Sequence, residues 1–194
     1  MELIKEELNL PDASVFLYHQ FFDLLESNQL FTDLSEQIEW QQNPIIMFGK
    51  LVLQPRLTAY YGEKPYTYSG VTMQPKSWQN ALLQIKDKIE LLTEVKFNAV
   101  LLNLYRDGSD YLGWHSDDEK ELAEGSVIGS LSLGESRRFL FRRRDNHQFK
   151  VELNLKHGDF LIMSGKTQKY WQHQVPKTKA QLNPRINLTF RVIK

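Results

Sequence analysis

Short apolar segments separated by turn residues dominate the chain after residue 96. They are rich in Val, Ile, Leu and Phe and are bounded by Gly, Asn, Asp and Pro, which is the pattern of strands joined by tight turns. Many short strands at regular spacing are typical of a β-sandwich or a jelly-roll barrel. The predicted strands lie at about residues 98–105, 126–133, 138–143, 149–155, 159–164, 170–175 and 186–193.

Helical periodicity is confined to the first hundred residues. The first forty predict a helix capped by Asp12 or Ser14, a break at Asn28 and a second short helix over 33–40. Residues 75–92 predict a longer helix whose apolar stripe indicates core packing. The pattern as a whole predicts an α+β protein, with a β-sandwich or jelly-roll core and supporting N-terminal helices.

Charge is uneven along the chain, although 24 Lys and Arg balance 24 Asp and Glu. Residues 1–43 contain nine acidic residues and one basic residue, Lys5, whereas the remainder contains 23 basic and 15 acidic residues. The asymmetry indicates an acidic helical segment and a basic surface that can meet an anion such as nucleic acid. A solvated acidic helix face explains the same composition equally well.

Length and composition limit the class of protein. The 194 residues, 41% of them hydrophobic, suit one globular domain. No apolar run approaches the roughly 18 residues of a membrane span, and the N-terminus lacks the pattern of a signal peptide, so we expect a cytoplasmic monomer without a membrane partner. Because cysteine is absent, any metal must be held by His and carboxylate side chains.

The first candidate for chemistry is His115-Ser116-Asp117 together with His173. Residues i and i+2 of an extended chain point to the same side, so His115 and Asp117 can reach one metal ion. His173, on another predicted strand, can complete a 2-His-1-carboxylate face, which is the arrangement of non-haem Fe(II) oxygenases. A surface histidine beside a turn aspartate is the simpler alternative.

A second candidate is the last predicted strand. Arg185, Asn187, Thr189 and Arg191 alternate with apolar residues and therefore share one face. Burying such a face is costly without a partner, and a dicarboxylate would supply one because guanidinium groups bind carboxylates well. A half-exposed edge strand is the alternative.

Six motifs follow one another between residues 103 and 191: Asn103-Leu104-Tyr105, Trp114-His115-Ser116-Asp117-Asp118-Glu119, Ser130-Leu131-Ser132-Leu133-Gly134, His157-Gly158-Asp159, His173 and Arg185-Ile186-Asn187-Leu188-Thr189-Phe190-Arg191. In this combination the chain resembles the AlkB family of Fe(II)/2-oxoglutarate dioxygenases, nearest its DNA alkylation-repair branch. The resemblance covers about residues 44–194. It implies a dioxygenase domain over 44–194 with a jelly-roll (double-stranded β-helix) core and a nucleotide-recognition part at about 44–75. The acidic segment 1–43 lies outside the resemblance, and we expect it to pack on the same domain.

The resemblance also implies a role for each matching residue. Fe(II) would be held by His115, Asp117 and His173. The co-substrate 2-oxoglutarate would be bound by Arg185 at its distal carboxylate, with help from Tyr105, and by Asn103, Asn187 and Arg191 near the metal. O2 is the other reactant.

Residues on the substrate side are implied in the same way. Asp118 and Glu119 resemble an acidic pair that meets the exocyclic amine of a flipped base, and Tyr66 and Tyr68 resemble its aromatic clamp. Phe48 looks like the wedge that fills the space left by the flipped base. Ordinary core packing is the alternative for these three aromatic residues.

A basic hairpin is the last candidate. Arg142, Arg143 and Arg144 follow Arg137 and Arg138 on a predicted hairpin, with only Asp145 to offset them, and can contact phosphates. A solvated charged hairpin is the alternative. The longer basic loop of duplex-repair relatives is mostly missing, so the preference for single or double strands stays open.

The resemblance implies oxidative demethylation of N-alkylated nucleobases in DNA, of the 1-methyladenine and 3-methylcytosine type, with release of formaldehyde and succinate. Two alternatives remain open. The same chemistry can act on modified RNA or on a protein side chain, and a nucleic-acid binder with an inactive metal site is also compatible with the motifs.

Overall fold

The computed structural model describes residues 3–47, 49–68 and 70–194, with the side chains of all of these except Ile46, Met47 and Tyr68. Its larger sheet has seven antiparallel strands. In spatial order they are β1 (Ile4–Glu7), β2 (Ser14–His19), β13 (Phe160–Ser164), β10 (Ile128–Gly134), β15 (Arg185–Arg191), β8 (Ala99–Tyr105) and β5 (Leu57–Gly62).

The smaller sheet faces the larger one and has four antiparallel strands: β12 (Lys150–Leu155), β11 (Arg137–Arg143), β14 (Trp171–Val175) and β9 (Leu112–His115). Two hairpins lie outside both sheets: β3 (Pro44–Met47) with β4 (Lys50–Leu53), and β6 (Tyr66–Tyr68) with β7 (Val71–Met73). The helices are α1 (Leu24–Gln37), α2 (Asn80–Thr93) and the short α3 (Thr167–Tyr170). This arrangement is the predicted jelly-roll core with supporting helices.

Two hydrophobic clusters hold these layers together. One lies between the helices and the larger sheet, where Leu34 and Ile85 pack with Leu188. The other includes residues from both sheets, among them Leu101 and Phe141. Because β15 is central and buried at every position, its apolar and polar faces serve different layers. The apolar face meets the helices, and the polar face meets the space between the sheets.

The predicted strands are confirmed, each within two residues of its observed bounds. The helices of the first forty residues are partly wrong. Residues 14–19 form β2, and α1 runs without a break through Asn28 and ends at Gln37. In β2, Val15 and Leu17 face one cluster while Phe16 and Tyr18 face the other, and a strand buried on both sides cannot be told from a helix by its apolar pattern.

Other elements also differ from the expectation. The longer helix begins at Asn80 rather than at residue 75, and strands β1, β3 to β7 and β9 were not predicted individually. The acidic segment contributes β2 to the larger sheet and α1 to its outer layer, so it shares the core of the later residues. The division at residue 43 and the role of residues 44–75 stay predictions. Within the described residues, no helix has both the length and the apolar character needed to cross a membrane.

Candidate active site

A cleft between the two sheets contains most of the predicted site. The residues that line it include Asn103, Tyr105, His115, Asp117, His173 and Asn187. They come from strands of both sheets and from the loop after β9. The fold therefore brings together residues that are far apart in the sequence.

The two candidate metal-binding histidines are cross-strand partners. His115 of β9 is in register with His173 of β14, and their ring centroids are 4.2 Å apart. The His115 Nδ1 atom lies 2.8 Å from the carbonyl oxygen of Gly113, which can only accept, so Nδ1 carries the proton. The Nε2 atom of His115 is then the unprotonated nitrogen available to a metal.

Asp117 completes the group. Its Oδ2 atom lies 3.6 Å from His173 Nε2 and is a buried oxygen without a hydrogen-bond partner among the described residues. Its other oxygen accepts a hydrogen bond from Arg191. Burial raises the pKa of Asp117, but the nearby cation of Arg191 and the two imidazoles outweigh it and lower the pKa to about 2.

Burial and the neighbouring His115 lower the pKa of His173 to about 3. Near pH 7 the group therefore consists of neutral imidazoles and an ionised carboxylate, which are the protonation states that bind metal ions. The residue types and their buried, unpartnered oxygen fit Fe(II). As they stand, however, no three His, Asp or Glu side chains of the described part of the chain are arranged as a complete metal-binding group.

Arg185 lies on the polar face of β15, which meets the space between the two sheets, and is 1% exposed. Its Nη2 donates to Ser132 Oγ at 2.9 Å, but its Nε and Nη1 have no hydrogen-bond partner among the described residues. Burial, opposed by Tyr105 and reinforced by Arg137, lowers the pKa of Arg185 to about 10. A buried cation with unused donors is costly, and a carboxylate would satisfy it.

The predicted co-substrate residues form two cross-strand pairs, Arg185 with Tyr105 and Asn187 with Asn103. The Arg185 guanidinium carbon is 5.3 Å from the centroid of the Tyr105 ring. The Asn187 amide already donates to Ser130 Oγ at 2.8 Å and to the Leu131 carbonyl at 3.0 Å. Its predicted contact with 2-oxoglutarate stays a prediction.

Arg56 is a site residue that the sequence analysis missed. It is 2% exposed, and its Nε donates to Asn103 Oδ1 at 2.6 Å. Its charge also lowers the pKa of His115, after the larger effect of burial. No motif marks Arg56 in the sequence, because it precedes β5 in an irregular segment.

The structure describes only some of the residues predicted to contact the substrate. Tyr66 is fully buried beside Arg191, whose guanidinium carbon is 5.4 Å from its ring centroid, and it contacts Glu119. Burial raises the pKa of Glu119. Phe48 and the side chain of Tyr68 lie outside the described residues, so their predicted roles stay predictions.

The arginines of the basic hairpin form more ion pairs than the sequence predicts. Arg143 is paired with Asp145 and with Asp12, and Arg144 is paired with Asp118 at 2.9 Å. The expectation that Asp145 alone offsets these arginines is therefore wrong, since carboxylates distant in sequence fold against them.

Two further arginines of the hairpin also have hydrogen-bond partners within the protein. Arg142 donates to Gln172 Oε1 and lies 4.3 Å from the centroid of the Trp114 ring. Arg137 is buried, with 3% of its surface exposed, and donates to three backbone carbonyls. The surface-exposed charge on this hairpin is therefore smaller than the sequence indicates.

Comparison with known proteins places the chain in a class. The family model described as the 2OG-Fe(II) oxygenase superfamily matches residues 14–191. The solved structure of OsALKBH1 shares the fold, with a TM-score of 0.70 over 98% of this chain and 100% of that one, at 21% sequence identity.

Proteins of similar sequence identify the family within this superfamily. The chain is 45% identical over 190 residues to "Alpha-ketoglutarate-dependent dioxygenase alkB homolog 3" of Bos taurus, covering 93% of this chain and 66% of that protein. It is 39% identical over 188 residues to "DNA oxidative demethylase ALKBH2" of Mus musculus, covering 91% and 79%. The chain therefore belongs to the AlkB family of 2OG-Fe(II) oxygenases. This confirms the resemblance, the fold and the prediction of Fe(II), 2-oxoglutarate and O2 as cofactors.

Proposed function

We propose that the chain is an oxidative demethylase of N-alkylated nucleobases in DNA. The proposed lesions are of the 1-methyladenine and 3-methylcytosine type, and the proposed products are the unmodified base, formaldehyde and succinate. The observation that carries the proposal is the buried Arg185, whose unused donors lie beside Tyr105, a residue that lines the same cleft as His115, Asp117 and His173. The similarity to a protein named DNA oxidative demethylase supports the choice of methylated DNA as substrate.

The proposed metal ligands are His115 Nε2, Asp117 Oδ2 and His173. When bound, Fe(II) would supply activation of O2 for oxidation of the N-methyl group. Arg191 donates to the other oxygen of Asp117 and so orients the carboxylate toward the two imidazoles. The Gly113 carbonyl does the same for His115 by selecting its tautomer.

The proposed role of Arg185 is to bind the distal carboxylate of 2-oxoglutarate. Its planar group has unused N–H donors, and Tyr105 beside it offers a hydroxyl group in a largely apolar layer. Asn103, held at its oxygen by Arg56, is left with its amide N–H groups to donate to the co-substrate. Asn187 and Arg191 lie on the same strand face as Arg185.

The proposed substrate contacts are carboxylates and aromatic rings. A base methylated at a ring nitrogen is cationic, so Asp118 and Glu119 suit it electrostatically, and Tyr66 lies beside Glu119. Phe48 as the wedge and Tyr68 as the stacking partner extend this proposal from the sequence. Among the basic residues, Arg142, Arg143 and Arg144 are the proposed phosphate contacts.

The test uses the protein loaded anaerobically with Fe(II) and 2-oxoglutarate and then exposed to air with methylated oligonucleotides. Formaldehyde and succinate are measured for single-stranded DNA, duplex DNA and RNA of one sequence. We expect both products in equal amounts with methylated DNA, and turnover only of RNA would contradict the proposed substrate.

The metal assignment is tested in the same assay with Asp117→Ala. We expect loss of turnover and of Mn(II) binding by calorimetry, while Asp145→Ala, an exposed carboxylate on the hairpin, keeps both. Full turnover by Asp117→Ala would refute the assignment. Tight oligonucleotide binding without products from the parent protein would instead favour a binding protein with an inactive metal site.

A further inference from the structure

Two loops connect the four strands that carry the site. Residues 106–111 join β8 to β9, and residues 176–184 join β14 to β15. The first loop therefore lies between Tyr105 and His115, and the second lies between His173 and Arg185. The relative positions of the proposed metal ligands and of the co-substrate residues depend on how these loops sit against each other.

Arg137, the first residue of β11, joins the two loops. Its Nη1 donates to the Asp107 carbonyl at 3.0 Å, and its Nη2 donates to the carbonyls of Asp110 at 2.8 Å and of Pro176 at 2.9 Å. A planar guanidinium group can reach three carbonyls in fixed directions, which an ammonium group on a flexible stem cannot reproduce. One side chain thus holds both loops.

The charge of Arg137 is not neutralised by a carboxylate hydrogen bond in the described residues. The Asp110 carboxylate is taken by Arg106, through two hydrogen bonds of 2.8 and 2.9 Å. A buried cation with only carbonyl partners is expensive, and burial accordingly lowers the pKa of Arg137. Packing alone would be achieved at lower cost by an apolar side chain, which points to a role other than stability.

Arg137 and Arg185 face the same aromatic ring. Their guanidinium carbons lie 5.4 Å and 5.3 Å from the centroid of the Tyr105 ring. The Tyr105 ring is therefore held by Arg137, which is bound to the two loops. The same ring contacts Arg185, whose Nε and Nη1 donors are unused. The proximity of two cations also favours an anion beside Arg185.

The loops are also in direct contact. The Thr178 amide donates to the Gly108 carbonyl at 2.7 Å. A Cβ atom at Gly108 would lie 2.5 Å from the Ala180 carbonyl oxygen and 2.9 Å from Thr178 Cγ2. The close contact has no room for a side chain, so its geometry can be disturbed without touching Arg137.

We propose that Arg137 is a positioning residue: it holds loops 106–111 and 176–184 together and fixes the Tyr105 ring, so that Arg185 is set to bind 2-oxoglutarate. This inference rests on the proposed function, because it takes Arg185 to be the co-substrate anchor. Arg137 is not a proposed ligand of the metal or of the co-substrate, and it acts through Tyr105 and the loop backbones.

The test measures binding rather than turnover. The dissociation constant of 2-oxoglutarate is determined by calorimetry for the Mn(II)-loaded protein, with Arg137→Lys and Arg137→Gln. We expect it to rise about 10-fold or more, the usual cost of losing a residue that orients a ligand. Arg138→Lys is the matched control, because Arg138 is the next residue of β11 and pairs with Glu152 on the surface.

Two further readouts separate positioning from a purely structural role. Amide hydrogen exchange at Thr178 should become faster in the Arg137 variants, and the KM for 2-oxoglutarate should rise while the KM for the methylated oligonucleotide stays unchanged. A lower Tm with an unchanged dissociation constant for 2-oxoglutarate would overturn the proposal, because Arg137 would then serve stability alone.

Gly108→Ala keeps the test decisive if the Arg137 variants do not fold. It separates the loops at their buried contact while leaving the Arg137 side chain intact, and we expect it to weaken 2-oxoglutarate binding in the same way. Unchanged binding by Gly108→Ala would overturn the proposal. If the parent protein does not bind 2-oxoglutarate at all, the proposed function fails first, and the inference fails with it.

Discussion

Arg185→Lys is the sharpest test of the co-substrate site, because it keeps the charge and removes the planar group. Arg185 is buried, donates once to Ser132 and retains its Nε and Nη1 donors. A charge-assisted hydrogen bond contributes about 1.5–3 kcal/mol. The lysine side chain is shorter and lacks the planar pair of donors, so it should lose at least one hydrogen bond to the distal carboxylate of 2-oxoglutarate. Since each 1.4 kcal/mol is tenfold, the affinity for 2-oxoglutarate should fall about 10- to 150-fold.

The assay measures the KM for 2-oxoglutarate by succinate release at saturating methylated oligonucleotide, and the dissociation constant by calorimetry with Mn(II). Arg138→Lys serves as the control for an arginine-to-lysine change on an exposed strand face. We expect both constants to rise in Arg185→Lys and neither to change in Arg138→Lys. Equal 2-oxoglutarate dependence in the two variants would refute the reasoning, since Arg185 would not be the anchor.

Three further predictions follow from the described contacts. Arg144, whose side chain is 42% exposed, should contact a phosphate fully, so Arg144→Gln should lower the salt-dependence slope of duplex DNA binding by about 0.9, the value for one contact. Arg143 is 13% exposed and shared between Asp12 and Asp145, so Arg143→Gln should change the slope less and lower Tm; equal slopes for the two variants would contradict this. Arg56→Lys should lower turnover about 10- to 100-fold by releasing Asn103, and parental kinetics would argue against that role. Burial raises the pKa of Glu90, but its lysine and amide partners outweigh burial and lower the pKa below 4.5. Glu90→Gln should therefore cost about 1–3 kcal/mol of unfolding free energy at pH 7, and the difference from the parent should shrink as pH falls below 4.5 in urea titrations; a constant difference would rule out this linkage.

Strand positions after residue 96 are local properties of the sequence, and they were predictable. Alternation of apolar residues and the turn residues between them locate a strand, so the predicted strands agree with the observed ones to within two residues. Spacing likewise puts Arg185, Asn187 and Arg191 on one face of β15, whose central position between β10 and β8 excludes the alternative of an edge strand.

The N-terminal strands and the partners of the arginines were decided only by tertiary structure. Residues 14–19 form β2 because β13 offers them an edge, although their own apolar pattern fits a helix. Arg143 pairs with Asp12, 131 residues away, and Arg56 with Asn103, 47 residues away. Such contacts depend on which strands become neighbours in the folded chain. A local pattern reports which faces are apolar, but it carries no information on which residue will lie opposite a buried charge.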